Sequence, residues 1–101
     1  MKRIDFLREA REELEDAAAY YEDQREGLGG EFREECERLV RTIGNRPHQF
    51  PLYKSTGLRH MILRRFPFVV YYQDTDNSVV IVAVAHGRRK PGYWRDRLDP
   101  K

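Results

Sequence analysis

The sequence predicts an α+β fold in which an N-terminal helical hairpin packs on a C-terminal antiparallel sheet. In the first half, apolar residues recur every three to four positions, as in amphipathic helices. In the second half, short runs of β-branched and aromatic residues are separated by turn residues, which is typical of strands. The predicted order is β-α-α-β-β-β with a short C-terminal helix. Helices that precede a separate antiparallel sheet define the α+β class.

One short strand and two helices are predicted in the first half. Polar and apolar residues alternate over residues 2–6, and the helical period begins at Leu7. The apolar stripe of the first helix contains Leu7, Ala10, Leu14, Ala17, Ala18 and Tyr21. Glycines within residues 27–30 should form the turn. The second helix carries Phe32, Cys36, Leu39, Val40 and Ile43, and we expect it to end at Gly44-Asn45, before Pro47.

Three strands are predicted in the second half, over residues 58–66, 68–72 and 79–85. The polar loop 74–78 predicts that the last two strands pair antiparallel. Residues 92–98 leave room for one or two helical turns. One face of the sheet should receive the helical hairpin. The other face is expected to be partly open and to offer a concave working surface.

Length and composition favour one soluble domain, residues 1–101, in the cytoplasm. The chain is 36% charged and 40% hydrophobic, and it contains no apolar run near the roughly 20 residues that span a bilayer. Its N-terminus is too acidic for a signal peptide. Cys36 is the only cysteine, which excludes an internal disulfide and a cysteine metal cluster and predicts an inert buried thiol.

The charge is divided unevenly between the two halves. Residues 1–50 contain 9 Lys/Arg and 13 Asp/Glu, whereas residues 51–101 contain 10 and 4, so the net charges are −4 and +6. Cations follow the most apolar strand directly, in the stretch "VAVAHGRRKPGYW" over residues 82–94. Such an arginine-rich surface suits an acidic partner, either nucleic acid or protein, because guanidinium groups bind phosphates and carboxylates in a bidentate manner.

Three segments resemble the RelE/ParE superfamily of toxins from type II toxin–antitoxin modules, in particular its ParE-like, plasmid-stabilisation branch. They are "AAAYYEDQREGLGGEF", "LRHMILRRFPFVVYY" and "VVIVAVAHGRRKPGYW". The resemblance implies a toxin that is neutralised by a cognate antitoxin in a hetero-oligomer, without a cofactor. It also implies one of two targets, since ParE-like members inhibit DNA gyrase and RelE-like members cleave mRNA on the ribosome. A third interpretation is that the chain is a family member without toxicity.

Each target implies its own set of site residues. A gyrase-binding surface would use the basic and aromatic residues Arg59, Arg64, Arg65, Arg88, Arg89, Lys90, Tyr93 and Trp94. For Trp94 we favour the alternative role of anchoring the C-terminal segment to the sheet. A ribonuclease needs a base, an acid and cations for the phosphate, and the matching residues are Lys54, His86, Arg89 and Tyr93. Phe68 stands where the RelE pattern has an arginine.

The histidines and the exposed apolar surfaces complete the predictions. His48 and His60 lack the spacing of metal ligands, so no metal site is expected. His86 is interpreted either as a structural residue bonded to a neighbouring backbone carbonyl or as a pH-sensitive site group. An antitoxin tail could bind as an added strand or as an amphipathic helix in an apolar groove. Such a tail is expected to be acidic, to complement the arginines.

Overall fold

A computed structural model describes residues 1–98 and confirms the predicted order of elements. The strands and helices are β1 (Arg3–Phe6), α1 (Arg8–Gln24), α2 (Leu28–Asn45), β2 (Arg59–Ile62), β3 (Phe68–Asp74) and β4 (Ser78–His86). Two short 3₁₀ helices follow α2 and end the described chain, at Pro47–Gln49 and Arg95–Leu98. The second of these corresponds to the helical turn predicted within residues 92–98.

The four strands form one mixed sheet in the order β1-β4-β3-β2. The predicted antiparallel pairing of β3 with β4 is confirmed, and β1 runs parallel to β4. Tyr71 pairs with Ala83 but Tyr72 pairs with Ile81, so Val82 is an extra residue on β4. This bulge places both Val82 and Ala83 in the apolar cluster on the face opposite the helices.

The turn between the helices is shorter than predicted. Gly27 has a φ of 88° and precedes the first residue of α2, whereas Gly29 and Gly30 are helical. A Cβ on Gly29 would lie 2.5 Å from the Ala18 carbonyl oxygen of α1, so this glycine allows the two helices to approach. The carboxylate of Glu22 accepts the N–H groups of Gly27 and Gly29 and thereby caps the start of α2.

The end of α2 agrees with the prediction, and one predicted strand boundary was wrong. Helix α2 ends at Asn45, before Pro47, although its C-cap is Arg46 rather than Gly44 or Asn45. Strand β2 covers Arg59–Ile62 and not residues 58–66, because residues 63–67 form a loop. The buried carboxylate of Glu35 holds that loop by accepting the backbone N–H groups of Arg64 and Arg65, at 2.6 and 3.1 Å.

Both faces of the sheet are covered, which corrects the expectation of an open working face. The helical hairpin covers one face with an aromatic cluster that includes Tyr21, Phe32 and Phe68. Trp94, only 1% exposed, packs on Tyr71 on the other face at a ring distance of 4.4 Å. The C-terminal segment, defined here as residues 92–98, therefore replaces the predicted concave surface with a second, smaller core.

The single cysteine lies where the helical period predicted it, on the buried face of α2. Burial, together with the nearby carboxylates of Glu35 and Glu37, raises the pKa of the Cys36 thiol to about 12. The thiolate is therefore essentially absent at neutral pH, which agrees with the predicted inert thiol.

Candidate target-binding surface

Two cationic segments that are separate in the sequence meet at one end of the sheet. Phe68, the first residue of β3, pairs with His86, the last residue of β4. The Gly87 N–H donates to the Pro67 carbonyl at 2.7 Å, which ties the β2–β3 loop to the turn after β4. We call the exposed side chains gathered there the cationic end: Arg64, Arg65, Arg88, Arg89 and Lys90.

A tight turn after β4 directs Arg88 and Arg89 towards solvent. The Arg89 N–H donates to the His86 carbonyl at 3.0 Å, and the Arg88 N–H donates to Nδ1 of His86 at 3.0 Å. Because Nδ1 acts as an acceptor, this hydrogen bond assigns the ring proton of the neutral imidazole to Nε2. His86 thus makes a local hydrogen bond to the backbone, but its partner is an N–H group rather than the predicted carbonyl.

The two arginines of the β2–β3 loop differ in their partners. Arg65 donates to the Glu31 carboxylate at 2.7 Å, and this bond raises the pKa of the Arg65 guanidinium and lowers that of Glu31. Arg64 is exposed and makes no ion pair within residues 1–98. Arg64 therefore contributes a fully available charge, whereas the charge of Arg65 is partly neutralised.

Arg89 is ordered by an aromatic ring but remains accessible. Its guanidinium carbon lies 3.7 Å from the centre of the Tyr93 ring, and its Nη1 lies 3.8 Å from Oε2 of Glu13. The side chain is still 57% exposed. Stacking leaves the edge N–H groups of a guanidinium available for a partner, so Arg89 can still bind an acidic group.

Glu13 of α1 is the centre of a cluster that the sequence analysis missed. Its carboxylate accepts hydrogen bonds from the Tyr93 hydroxyl at 2.5 Å, from two Arg97 N–H groups at 2.9 Å each, and from the Val84 N–H at 3.0 Å. The available signal was its position: Glu13 lies between Ala10 and Ala17 on the helix, at the flank of the apolar stripe.

The pKa values in this cluster shift in opposite directions. Burial raises the pKa of Glu13, but the hydrogen bonds from Arg97, Tyr93 and Val84 outweigh burial, and the net pKa lies below the ordinary value of 4.5. Burial, together with the bond to Glu13, raises the pKa of Tyr93. Tyr93 therefore holds its proton firmly on a bond to a carboxylate.

Three predicted site residues lie away from the cationic end. Lys54 sits in a turn with a φ of 50°, and its Nζ lies 5.3 Å from the centre of the Tyr53 ring. Arg59 pairs with Tyr72 in the sheet, and its Nη1 donates to the Phe50 carbonyl at 2.7 Å. Trp94 is buried against Tyr71, so its position fits the anchoring role and not direct contact with a target.

The four residues predicted for a ribonuclease are not assembled. Tyr93 and Arg89 are in contact, whereas Lys54 lies near Tyr53, and none of its described contacts reaches His86, Arg89 or Tyr93. Within residues 1–98, no group of three His, Cys, Asp or Glu side chains is arranged to hold a metal ion, and no helix is long and apolar enough to cross a membrane.

These features define a small α+β domain with a group of exposed positive charges at one end of its sheet, and known proteins share the fold. The family model described as "ParE toxin of type II toxin-antitoxin system, parDE" matches residues 4–91. Toxin ParE2 of Mycobacterium tuberculosis, in strains CDC 1551 and H37Rv, is 34% identical over 85 residues, which cover 79% of this chain and 76% of the relative. The chain belongs to the ParE toxin family of type II toxin–antitoxin systems.

A solved structure supports the architecture. The structure titled "Chromosomal ParDE TA system from P. aeruginosa" superposes on this chain with a TM-score of 0.63. The superposition covers 85% of this chain and 96% of the chain in that structure. At 14% sequence identity, this similarity concerns the fold alone.

Proposed function

We propose that this chain is a growth-inhibiting toxin that binds DNA gyrase in the cytoplasm through the cationic end, without catalysis of its own. The observation that carries the proposal is the convergence of five exposed cations, from two separate segments, at one end of the sheet. A compact group of accessible arginines favours encounter with an acidic macromolecular surface and supplies bidentate contacts once it is reached.

The position of Tyr93 supports binding rather than RNA cleavage. Its hydroxyl donates to Glu13, and its pKa is raised, so it is a poor proton donor near neutral pH. Its hydrogen bond also directs the hydroxyl towards a buried carboxylate and away from an incoming phosphate. Lys54 follows Tyr53, whose N–H bonds to the Leu58 carbonyl just before β2, so Lys54 lies towards the opposite end of β3 from His86.

Two purified assays test the target. The protein is added to a gyrase supercoiling reaction and, separately, to a cell-free translation reaction whose message is analysed for cleavage. Inhibited supercoiling with an intact message supports the proposal. Cleaved message with normal supercoiling would favour the RelE-like ribonuclease. Normal results in both assays, with normal growth after induction, would indicate a non-toxic family member.

Variants of the cationic end locate the binding surface. Arg88→Ala combined with Arg89→Ala should abolish supercoiling inhibition and leave the free energy of unfolding within about ±0.5 kcal/mol, because both side chains are exposed. Arg41→Ala combined with Arg46→Ala is the matched control, since it removes two exposed positive charges near the end of α2. Full inhibition by the Arg88/Arg89 double variant would exclude the cationic end as the site.

We further propose that the cognate antitoxin binds the groove between α2 and the edge strand β2. This groove encloses about 530 Å³. Its apolar residues include Leu39, Met61 and Leu63, and Ile62 at its border is 61% exposed. Arg38, Arg64 and Arg65 surround these residues, which favours an acidic segment with an apolar face.

The outer edge of β2 favours a helical occupant over an added strand. The His60 N–H already donates to the Pro51 carbonyl, and Leu52 forms an isolated bridge with Arg59. Much of this edge is therefore paired within the chain, and little of it is left for an extended strand. An amphipathic helix needs only the apolar groove and its charged border.

Binding to the product of an adjacent antitoxin reading frame tests this second proposal. Ile62→Glu should weaken the complex, because a carboxylate would face both apolar residues and the acidic segment. Leu52→Glu is the control, since Leu52 is 55% exposed but does not line the groove. Equal affinities of the two variants for the antitoxin would place its binding site elsewhere.

A further inference from the structure

The edge of β4 continues beyond the strand that covers it. Strand β1 pairs with β4 only as far as Ile81, whose carbonyl accepts the Leu7 N–H at 3.0 Å. Past that point two backbone groups of β4 bond to side chains instead. The Val84 N–H donates to Glu13 at 3.0 Å, and the Val82 carbonyl accepts from Arg97 at 3.0 Å.

Glu13 and Arg97 thus bond to backbone groups of β4 that a longer β1 would otherwise pair with. Their side chains are each only 15% exposed, and they pair through two N–H···O bonds of 2.9 Å. A buried carboxylate is costly unless donors surround it. Here two elements supply donors to the carboxylate of α1: β4 contributes one N–H group, and the C-terminal segment contributes N–H and O–H groups.

The same carboxylate also contacts two residues near the cationic end, Tyr93 and Arg89. The Tyr93 hydroxyl is bound to Oε2 of Glu13, which fixes the ring on which the Arg89 guanidinium stacks at 3.7 Å. Arg89 Nη1 also lies 3.8 Å from that oxygen. One buried side chain therefore determines the position of a ring and, through the ring, of an exposed guanidinium.

We propose that Glu13 is a positioning residue for the target-binding surface: it holds the C-terminal segment against β4 and fixes Arg89 through Tyr93. The proposal rests on the proposed function only in one respect, the identity of the target that the surface binds. Its structural part concerns the segment itself and can be measured without any target.

The single tryptophan of the chain reports on that segment. We compare Glu13→Gln with Asp74→Asn, because Asp74 is also a partly buried carboxylate paired with a cation, but it lies at the opposite end of β3 from the cationic end. Glu13→Gln should raise the acrylamide quenching constant of Trp94 by about twofold, because local release of the segment exposes the indole. Asp74→Asn should leave the quenching constant unchanged.

Inhibition of gyrase supplies a second readout. Glu13→Gln should raise the half-inhibitory concentration by about tenfold, which corresponds to roughly 1.4 kcal/mol of binding free energy. Tyr93→Phe keeps the ring beneath Arg89 but removes its bond to Glu13. If Glu13 acts through Tyr93, the two substitutions should be non-additive, so that Glu13→Gln costs less in the Tyr93→Phe background.

Three results would overturn the proposal: wild-type quenching of Trp94 in Glu13→Gln, an equal change in Asp74→Asn, or strictly additive effects of Glu13→Gln and Tyr93→Phe on inhibition. Absence of gyrase inhibition by the unmodified protein is a different result. It would count against the proposed function, and the quenching measurement would still decide whether Glu13 holds the segment.

Discussion

The two faces of the sheet are covered in different ways. On one face, two long helices bury an apolar cluster in which the Phe32 ring lies 5.1 Å from the rings of both Phe66 and Phe68. On the other face, the seven-residue C-terminal segment covers Tyr71 and Val82 with one large side chain, Trp94. Polar anchoring also differs, since an ion pair between Arg97 and Glu13 of α1 holds the C-terminal segment, and Glu13 also accepts the Val84 N–H of β4.

The amount of apolar surface that each cover buries explains this difference. The helices bury an apolar stripe along their whole length, whereas the C-terminal segment buries one large side chain, Trp94. Charge-assisted hydrogen bonds are stronger than neutral ones. The bonds that Glu13 accepts are therefore expected to supply a larger share of the stabilisation of the second cover.

The largest effect is expected on the helix face. Phe32→Ala should lower the free energy of unfolding by about 3–5 kcal/mol, because Phe32 is fully buried and its removal leaves a cavity. That is a large part of the roughly 5–15 kcal/mol typical of a domain. Urea unfolding followed by circular dichroism measures it, and Tyr20→Ala, at a position that is 60% exposed, is the control. Similar losses for both variants would contradict the assigned core.

A smaller global effect is expected on the second face. Trp94→Ala should lower the free energy of unfolding by only about 1–3 kcal/mol, because the C-terminal segment can detach while the sheet and helices stay folded. Trypsin should cleave after Arg95 and Arg97 faster than in the parent protein, with the rest of the chain still resistant. Uniform loss of resistance along the chain would show that the two faces form one cooperative unit.

The same difference between the faces explains what the sequence could predict. The stripe from Ala10 to Tyr21 was predicted from its helical period, and the strands that begin near Phe68 and Val79 were predicted from runs of β-branched, aromatic and other apolar residues. The bulge at Val82 was not predicted, since a continuous apolar run looks the same with or without an extra residue. Glu13 was not identified from the sequence because its partners, Tyr93 and Arg97, lie about 80 residues away along the chain.

The sequence also could not predict which cations lie at the same end of the sheet. Arg64 and Arg88 were identified as candidate residues, but their meeting at one end depends on the register of Phe68 with His86. Arg59 looked equivalent to them in the sequence, yet its guanidinium bonds to the Phe50 carbonyl. Residue type thus predicted the chemistry of the surface, whereas sheet register decided which residues belong to it.

Lowering the pH should weaken the attachment of the C-terminal segment to the second face, because Glu13 becomes protonated. Its pKa is lower in the folded protein than the ordinary value of 4.5, so the unfolded chain binds the proton first as the pH falls. Stabilisation by Glu13 is therefore complete above that value and is lost as the pH falls through the lower pKa of the folded state. Between about pH 5 and about pH 3, the urea midpoint should fall less in Glu13→Gln than in the parent.

Glu12→Gln is the control for this measurement, because Glu12 is an exposed neighbour whose side chain makes no hydrogen bond within residues 1–98. It should retain the acid dependence of the parent protein. If Glu13→Gln also retains it, the bonds from Arg97 and Tyr93 do not stabilise the folded state through the charge of Glu13.

The smallest effect is expected for an ion pair on the helix face. Arg33 of α2 binds Glu15 of α1, and this bond lowers the pKa of Glu15 and raises that of Arg33. Both side chains are nearly half exposed, so water and salt screen the pair. Arg33→Ala should therefore leave the urea midpoint unchanged within error. A fall in the urea midpoint as large as that in Glu13→Gln would contradict this expectation. It would mean that the apolar stripe alone is too weak to hold the helical hairpin on the sheet, and that the hairpin, like the C-terminal segment, depends on charge.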